Sequence, residues 1–297
     1  MLFRSVPRIP NAALRFRPPE GAVIRGQTNA PAAASKGRSI ANLLELQANE
    51  KVAALIRIQS KIDANKDNIT WQQPGELFFA TRQGTVKKTS LNKYGNVLKG
   101  GIIAIGIDPG DTLIEVKLTR GCTGDDDPGD DVILITHDGM SIRFSESDVR
   151  SMGRGAGGMK GITLEQGDEV VALAVVMPDA TLLVAGENGI GKRTSFDEYL
   201  VQSESGARKQ SRGGKGRITM KVGDKTGGVV GALAVKDADE IMLITSGGQM
   251  VRIPVQGIRE AGRNTMGVKL VNLDPNDKLL AIAPVISEER GVEEPPA

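Results

Sequence analysis

Short apolar runs, each cut off by a glycine turn, recur along most of this chain. LFFAT precedes Gly84, VILIT precedes Gly139, TLLVAG precedes Gly189 and IMLIT precedes Gly248. After each turn comes a second short segment in which Lys or Arg breaks the apolar run: TVKKT, MSIRF, IGKRT and QMVRI. The turn glycines stand 55, 50 and 59 residues apart. A different half follows each of these: GGIIAIGIDPGDTLIEVKL from Gly100, GITLEQGDEVVALAVV from Gly161, GRITMKVGDKTGGVVGALAV from Gly216 and GVKLVNLDPNDKLLAIAPV from Gly267. A further copy, GRSIANLLELQANEKVAALIRI, begins at Gly37 with no first half before it. The same order of features in so many copies is an internal repeat.

Each half reads as a hairpin. The runs are short and β-branched, and they end in Asp138-Gly139, Asn188-Gly189 or Gly247-Gly248, the residues that tight turns require. In the second halves, Asp108-Pro109-Gly110-Asp111 and Asp274-Pro275-Asn276-Asp277 do the same. No segment sustains the i, i+3, i+4 stripe of a helix. About four strands in about 50 residues is the size of a propeller blade. The chain therefore divides into a partial blade (36–60), four complete blades (about 69–120, 131–178, 179–237 and 238–286) and two flanks. An incomplete ring leaves a strand edge beside 36–60 without a partner, so that end is expected to be mobile or to pair with another chain. Residues 1–35 are Ala-, Pro- and Arg-rich with no strand pattern, an unstructured leader or a boundary artefact of a truncated reading frame. Their basic, acid-poor composition also suits an organelle transit peptide. Residues 287–297 read as an acidic disordered tail.

Composition narrows the chemistry. Gly is abundant, with 37 of 297 residues, which fits many tight turns; aromatics are only 3%, so the core is aliphatic. One Cys and one His exclude a disulfide framework and a His-based metal centre. No apolar run is long enough to span a membrane. His137 occupies a turn position that Gln83, Asn188 and Gly247 fill in the other units, and Cys122 reads as a bystander thiol in a Gly/Asp loop. The acidic loop of Asp125, Asp126, Asp127, Asp130 and Asp131 lacks calcium-loop spacing and reads as a solvated connection. Gly153–Gly158 resembles a phosphate loop in composition alone, with no Gly-Lys-Ser/Thr after it.

Net charge is only +2, so a nucleic-acid reading depends on where the charges sit. They recur in register. The strand after each first turn carries Lys87 and Lys88, Arg143, Lys192 and Arg193, or Arg252. The variable connections add Lys93, Arg150, Arg154, Lys160, Arg208, Lys209, Arg212, Lys215, Arg217, Arg259 and Arg263. Gly213 and Gly214, within Gln210–Gly216, are expected to leave backbone N–H groups open beside Arg212 and Lys215, which suits DNA phosphates. In a ring of blades this pattern draws a basic band around the rim. The alternative is a propeller-like scaffold that binds proteins, its cations serving only solubility.

The phrases GTVKKT (84–89), MGRGAGGMKGI (152–162), NGIGKRT (188–194), GALAV (231–235) and AGRNTMGV (261–268) resemble the C-terminal domain of DNA gyrase A, with the corresponding domain of topoisomerase IV the near alternative. The resemblance covers residue 36 to about 286. It implies a β-pinwheel, a propeller whose neighbouring blades exchange strands, with double-stranded DNA wrapped on a basic perimeter in support of ATP-dependent negative supercoiling. It further implies gyrase B and the breakage–reunion part of gyrase A as partners, no membrane, and a bacterial cytoplasmic, nucleoid-associated setting. It implies no cofactor in this chain, ATP and magnesium being bound elsewhere in the full enzyme. Three departures stand out. The family's Gln-Arg-Arg-Gly-Gly-Lys-Gly box has Ser211 in place of its first Arg and falls in the third complete unit, where a box-like loop of a later blade is expected. Tyr94 and Tyr199 lie inside repeats without the Arg that precedes the family's nucleophile, so this chain alone is expected to be non-catalytic.

Overall fold

A computed structural model of the chain describes residues 2–5, 51–56, 75–95, 101–122, 127–204 and 206–285. Two short strands come first, β1 (Leu2–Ser5) and β2 (Lys51–Leu55). The first unit supplies β3 (Glu76–Thr81), β4 (Thr85–Ser90) and β5 (Leu113–Thr119). The second supplies β6 (Asp131–Thr136), β7 (Met140–Ser145), β8 (Met159–Lys160) and β9 (Val170–Val175). The third contains β10 (Thr181–Gly186), β11 (Ile190–Ser195), the small pair β12 (Val201–Ser203) and β13 (Gly206–Arg208), β14 (Arg217–Ile218) and β15 (Val229–Val235). The fourth contains β16 (Glu240–Thr245), β17 (Met250–Pro254), β18 (Val268–Lys269) and β19 (Leu279–Pro284).

These strands build four blades in a propeller-like ring. The sheet orders are β5-β3-β4-β8, β9-β6-β7-β14, β15-β10-β11-β18 and β19-β16-β17. The fourth strand of each four-stranded sheet belongs to the following unit. The second half of a unit is therefore not a hairpin, as its turn signals suggested: its first strand joins the preceding blade and its second strand lines its own. The turn residues do mark reversals of direction, but a reversal does not fix which sheet each arm enters.

Glycines permit the exchange. Gly158, Gly216 and Gly267, each just before an exchanged strand, have φ of +102°, +80° and +96°. A Cβ there would lie 2.5 Å from the Val86 carbonyl, 2.3 Å from that of Ser141 and 2.4 Å from that of Gly191. Only a residue without a side chain lets the two backbones come this close. The hairpin-turn carbonyls then accept the incoming strand: Gly161 N–H to Gly84 at 2.7 Å, Thr219 N–H to Gly139 at 2.8 Å and Leu270 N–H to Gly189 at 2.8 Å.

The core lies between blades. Phe78, Ala80 and Val86 of the first blade pack against Val132, Leu134, Ile142 and Phe144 of the second. Ile133 and Ile135 pack against Leu182 and Val184, and Leu183 and Ala185 against Ile241 and Leu243. Both faces of β3, β6 and β10 are thus buried, which is why their sequences are continuous apolar runs and do not alternate. The inner strands β5, β9, β15 and β19 and β2 surround a hub cavity of about 490 Å³.

Register repeats as well. Each first strand pairs with its inner strand through one irregularity, at Ala80/Thr81, Ile135/Thr136, Ala185/Gly186 and Ile244/Thr245. A comparable irregularity, at Phe3/Arg4, marks the pairing of β1 with β2. The leader thus contributes a strand, where the sequence suggested none, and it pairs one edge of β2, the segment whose edge was expected to be mobile or to pair with another chain. The rest of residues 1–35, residues 36–50 and 57–60, and the tail 287–297 lie outside the described residues.

Candidate nucleic-acid interface

Five of the six recurrent cations of the second strands are not on the surface. Lys87 and Lys192 are fully buried, and Lys88, Arg143 and Arg193 nearly so. The following unit covers them, joined at Lys87 by Ala104 and Phe79 of its own unit. Lys87 Nζ donates to the carbonyl of Ala104 at 2.6 Å and to that of Arg154, and lies 5.4 Å from the centre of the Phe79 ring. Lys192 Nζ donates to the carbonyls of Gly262 (2.5 Å) and Arg263 (2.6 Å) and to Thr265 Oγ1 (3.0 Å). Burial pushes both ammonium groups down to about 8, with a smaller push from Arg154 on Lys87.

The next residue in each strand points to the opposite face and binds a carbonyl in or just after the short helical turn of the following unit. Lys88 reaches Glu146 O at 2.9 Å, Arg143 reaches Phe196 O at 2.7 Å and Arg193 reaches Ile258 O at 2.8 Å. Carboxylates complete the pairs: Glu146 near Lys88 (3.7 Å), Asp131 on Arg143 (2.7 Å), and Asp237 on Arg193. These side chains fasten blade to blade. A buried cation without such partners would be prohibitive, and hydrogen bonds to charged groups are each worth about 1.5–3 kcal/mol. Arg252 is the exception. Its side chain is 51% exposed and pairs with Glu240 of its own sheet.

The connections place the remaining cations outside. Lys160 in β8 is exposed and Arg217 in β14 half-buried, both on outermost strands. Arg154, Arg212 and Arg263 occupy equivalent places four residues before Gly158, Gly216 and Gly267, and all three are half-buried. Arg212 donates to the carbonyls of Lys160 and Asp148 (3.1 Å), and Arg263 to that of Ile218 (3.0 Å). Arg212 and Arg263 thus each reach back to the exchanged strand of the unit before. Lys93, Arg150 and Arg208 are exposed. Lys209 pairs with Asp131 (2.6 Å) and Lys215 with Glu165 (2.8 Å). By contrast, the four inner strands of the blades hold only two charged residues, Glu115 and Lys117, ion-paired at 2.5 Å.

The glycine loop also differs from expectation. Gly213 N–H is not open: it donates to Gly161 O at 2.7 Å, and Gly213 O accepts from Thr163 Oγ1 at 2.7 Å. Gly214 is exposed, and its carbonyl accepts from Thr163 N–H at 2.9 Å. The loop is docked on the neighbouring unit, and its backbone supplies structure as much as surface.

The other candidates have structural partners. Tyr94 and Tyr199 are fully buried; their hydroxyls bond Ala104 O (3.2 Å) and Thr219 Oγ1 (2.6 Å), and burial pushes both phenols up to about 12. His137 sits at a turn, bonded to Asp138 at 3.0 Å. Cys122 lies 3.6 Å from Lys88 Nζ. Asp125 and Asp126 fall outside the described residues. Among the described residues no cluster of three or more His, Cys, Asp or Glu could hold a metal, and no helix is long and apolar enough to cross a membrane.

Sequence reasoning missed one recurrent group. Asp111, Asp168 and Asp277 each accept from a turn N–H of the preceding hairpin, at Gln83 (2.9 Å), Asp138 (3.0 Å) and Gly247 (2.7 Å). Each lies in the turn before an inner strand, and the repeated Gly/Asn-Asp dipeptides (GDT, GDE, NDK) were the available signal.

A ring of small antiparallel sheets, three of the four borrowing their outermost strand from the next repeat, with cations at the outer edge, defines a strand-exchanged propeller domain. The family model described as the DNA gyrase C-terminal domain, beta-propeller, matches residues 75–120, 130–177, 180–207, 203–236 and 239–286. The chain belongs to this family. DNA gyrase A of Mycolicibacterium smegmatis is 40% identical over 261 residues, covering 87% of this chain and 28% of that protein. DNA gyrase A of Salmonella typhimurium is 38% identical over 259 residues, covering 86% and 27%. The chain thus spans about a quarter of the length of these relatives. Among solved structures, the C-terminal domain of DNA topoisomerase IV superposes with a TM-score of 0.69 at 26% identity, covering 84% of this chain and 70% of that one. The DNA gyrase A C-terminal domain gives 0.67 at 25%, covering 85% and 76%.

Proposed function

We propose that this domain binds double-stranded DNA along its outer edge and wraps it, as a non-catalytic module of a type II topoisomerase whose other parts cleave, hydrolyse ATP and drive negative supercoiling. One observation supports this above the rest: exposed or half-buried cations recur at the outermost strands and the loops before them, while the hub strands are almost uncharged. The interface consists of Lys93, Arg150, Arg154, Lys160, Arg208, Arg212, Lys215, Arg217 and Arg263. Lys87, Lys88, Arg143, Lys192 and Arg193 serve it indirectly, by fixing the blades that carry it. In the assembled enzyme the partners are gyrase B and the breakage–reunion part of gyrase A.

The energetics require many weak contacts. Bending a duplex of 20–30 base pairs costs of order 1–6 kcal/mol. Phosphate contacts offset this by releasing counterions, each neutralised phosphate adding about 0.9 to the slope of log affinity against log salt. Base contacts are unnecessary, as in other wrapped complexes.

Titration of a random duplex across salt concentrations tests the reading. A steep negative slope with little sequence preference is expected. Arg154→Glu, Arg212→Glu and Arg263→Glu together should flatten it. Lys236→Glu, in the turn joining the inner strand β15 to β16 of the next blade, should not. A flat slope for the unaltered protein, or equal loss from both changes, overturns the proposal in favour of a protein-binding scaffold.

A further inference from the structure

The rim arginines depend on something the outer surface does not display. Arg154 and Arg263 stand in equivalent Gly-Arg turns, Gly153-Arg154 and Gly262-Arg263. Behind each turn stands a lysine from the preceding blade, three residues past a hairpin glycine: Lys87 after Gly84, Lys192 after Gly189. Among the described residues, neither ammonium has a carboxylate as a hydrogen-bond partner. Backbone carbonyls take that place, the way carbonyls hold a cation. Around Lys192 Nζ the set is complete: Gly262 O, Arg263 O and Thr265 Oγ1 are three acceptors for three N–H groups. Thr265 Oγ1 in turn donates to Gly262 O at 2.7 Å, closing the turn on itself. Turning the arginine carbonyl inward onto the lysine fixes that peptide plane and leaves the side chain on the outer side.

The second blade is an internal control. Its equivalent residue is Ile142, which has no donor to offer, and the corresponding loop is held by other bonds: Gly213 N–H to Gly161 O at 2.7 Å, and Thr163 N–H to Gly214 O at 2.9 Å. The ring therefore seats its rim loops in two ways: on a buried lysine in the first and third blades, and without one in the second.

We propose that Lys87 and Lys192 are positioning residues for DNA binding: buried ammonium groups that hold the Gly-Arg turns of the following unit so that Arg154 and Arg263 face the phosphates. This rests on the DNA-wrapping reading, and the experiment separates the two. Lys192→Met keeps the length and apolar stem of the side chain and removes its three donors. Amide exchange is measured without DNA, and duplex affinity against salt with it.

Exchange across residues 261–266 should quicken by about tenfold or more in Lys192→Met, while residues 211–216, which have no lysine behind them, stay unchanged. The salt slope should fall by about 0.9, the loss of one phosphate contact. Lys192→Met combined with Arg263→Ala should bind as Arg263→Ala does alone, since the lysine acts through the arginine. Unchanged exchange overturns the proposal whatever DNA does. So does an unchanged slope in the variant beside a steep one in the unaltered protein, or additive loss in the double variant. A flat slope in the unaltered protein with quickened exchange refutes the DNA-binding reading, and with it the positioning role, but not the seating of the turn. Should Lys192→Met fail to fold, Thr265→Val removes one acceptor and leaves the lysine; a smaller rise in exchange with a smaller fall in slope supports the proposal, and no change in either overturns it.

Discussion

The third and fourth blades start from similar sequences and end differently. IGKRTS in β11 and QMVRIP around β17 both follow a glycine turn and both carry a cation four residues past it. In the third blade β18 pairs along β11, Lys192 is fully buried and Arg193 is 7% exposed. In the fourth, β17 has no outer strand among the described residues, and its burial alternates between exposed and half-buried. Met250 is 47% exposed, whereas Val86 and Ser141, its equivalents in the first two blades, are fully buried. The strand does not decide its own burial; the neighbour's strand does. A cation that fastens two blades in one repeat is a surface charge in another.

That contrast can be broken most forcefully at the joint. Gly267→Val imposes a side chain at φ +96° and within 2.4 Å of the Gly191 carbonyl. The strain and the clash together should cost roughly 3 kcal/mol or more. Gly257→Ala, in the fourth blade with open space around it, should stay within about 0.5 kcal/mol. Urea midpoints of the two variants measure the difference, and similar losses would mean that the exchanged strand contributes little.

A smaller effect is expected from the cations themselves. Arg193→Ala removes a buried guanidinium that holds Ile258 O, and should destabilise by about 1.5–3 kcal/mol. Its carboxylate partner, Asp237, is 75% exposed and is not stranded by the change. Arg252→Ala, at the equivalent but exposed site, should cost under about 0.5 kcal/mol. Thermal or urea unfolding of both, compared side by side, tests whether position in the joint outweighs residue type.

The smallest expected effect is a dependence on pH. Lys87 and Lys192 have folded values of about 8, below the ordinary 10.5, so between these limits the unfolded chain holds more protons. Stability should therefore rise as pH climbs through 8, and the contribution should be lost as pH falls back through it. Tyr94 and Tyr199 act in the opposite sense: burial raises both from 10 to about 12, so above pH 10 their contribution declines. The informative window is pH 8 to 10. There, urea midpoints should rise for the unaltered protein and rise less for Lys192→Met. Equal rises would remove Lys192 from this account.

Much of the architecture was legible beforehand because it depends on local rules. Gly84, Gly139, Gly189 and Gly248 all have positive φ, so the chain must place glycine there and the repeat becomes visible. The candidate site was only half legible. Counting Lys87-Lys88 and Lys192-Arg193 as outward charge overlooked the pleat: neighbouring residues of a strand point to opposite faces, so two adjacent cations cannot share one outward face. That pairing was the signal that one or both are turned inward. Arg154, Arg212 and Arg263 were identified, but their equivalence emerges only when each is counted back from the glycine that starts the exchanged strand.

By itself, the order of residues determined the number of repeats, the positions of their turns and the strand character of each run, since these follow from φ requirements and side-chain shape within a few residues. Tertiary structure alone decided which sheet each strand enters and which cations meet solvent. Both depend on contacts between neighbouring units, such as Lys192 with Gly262 and Arg263, 70 and 71 residues further on, and no local preference encodes a partner at that distance.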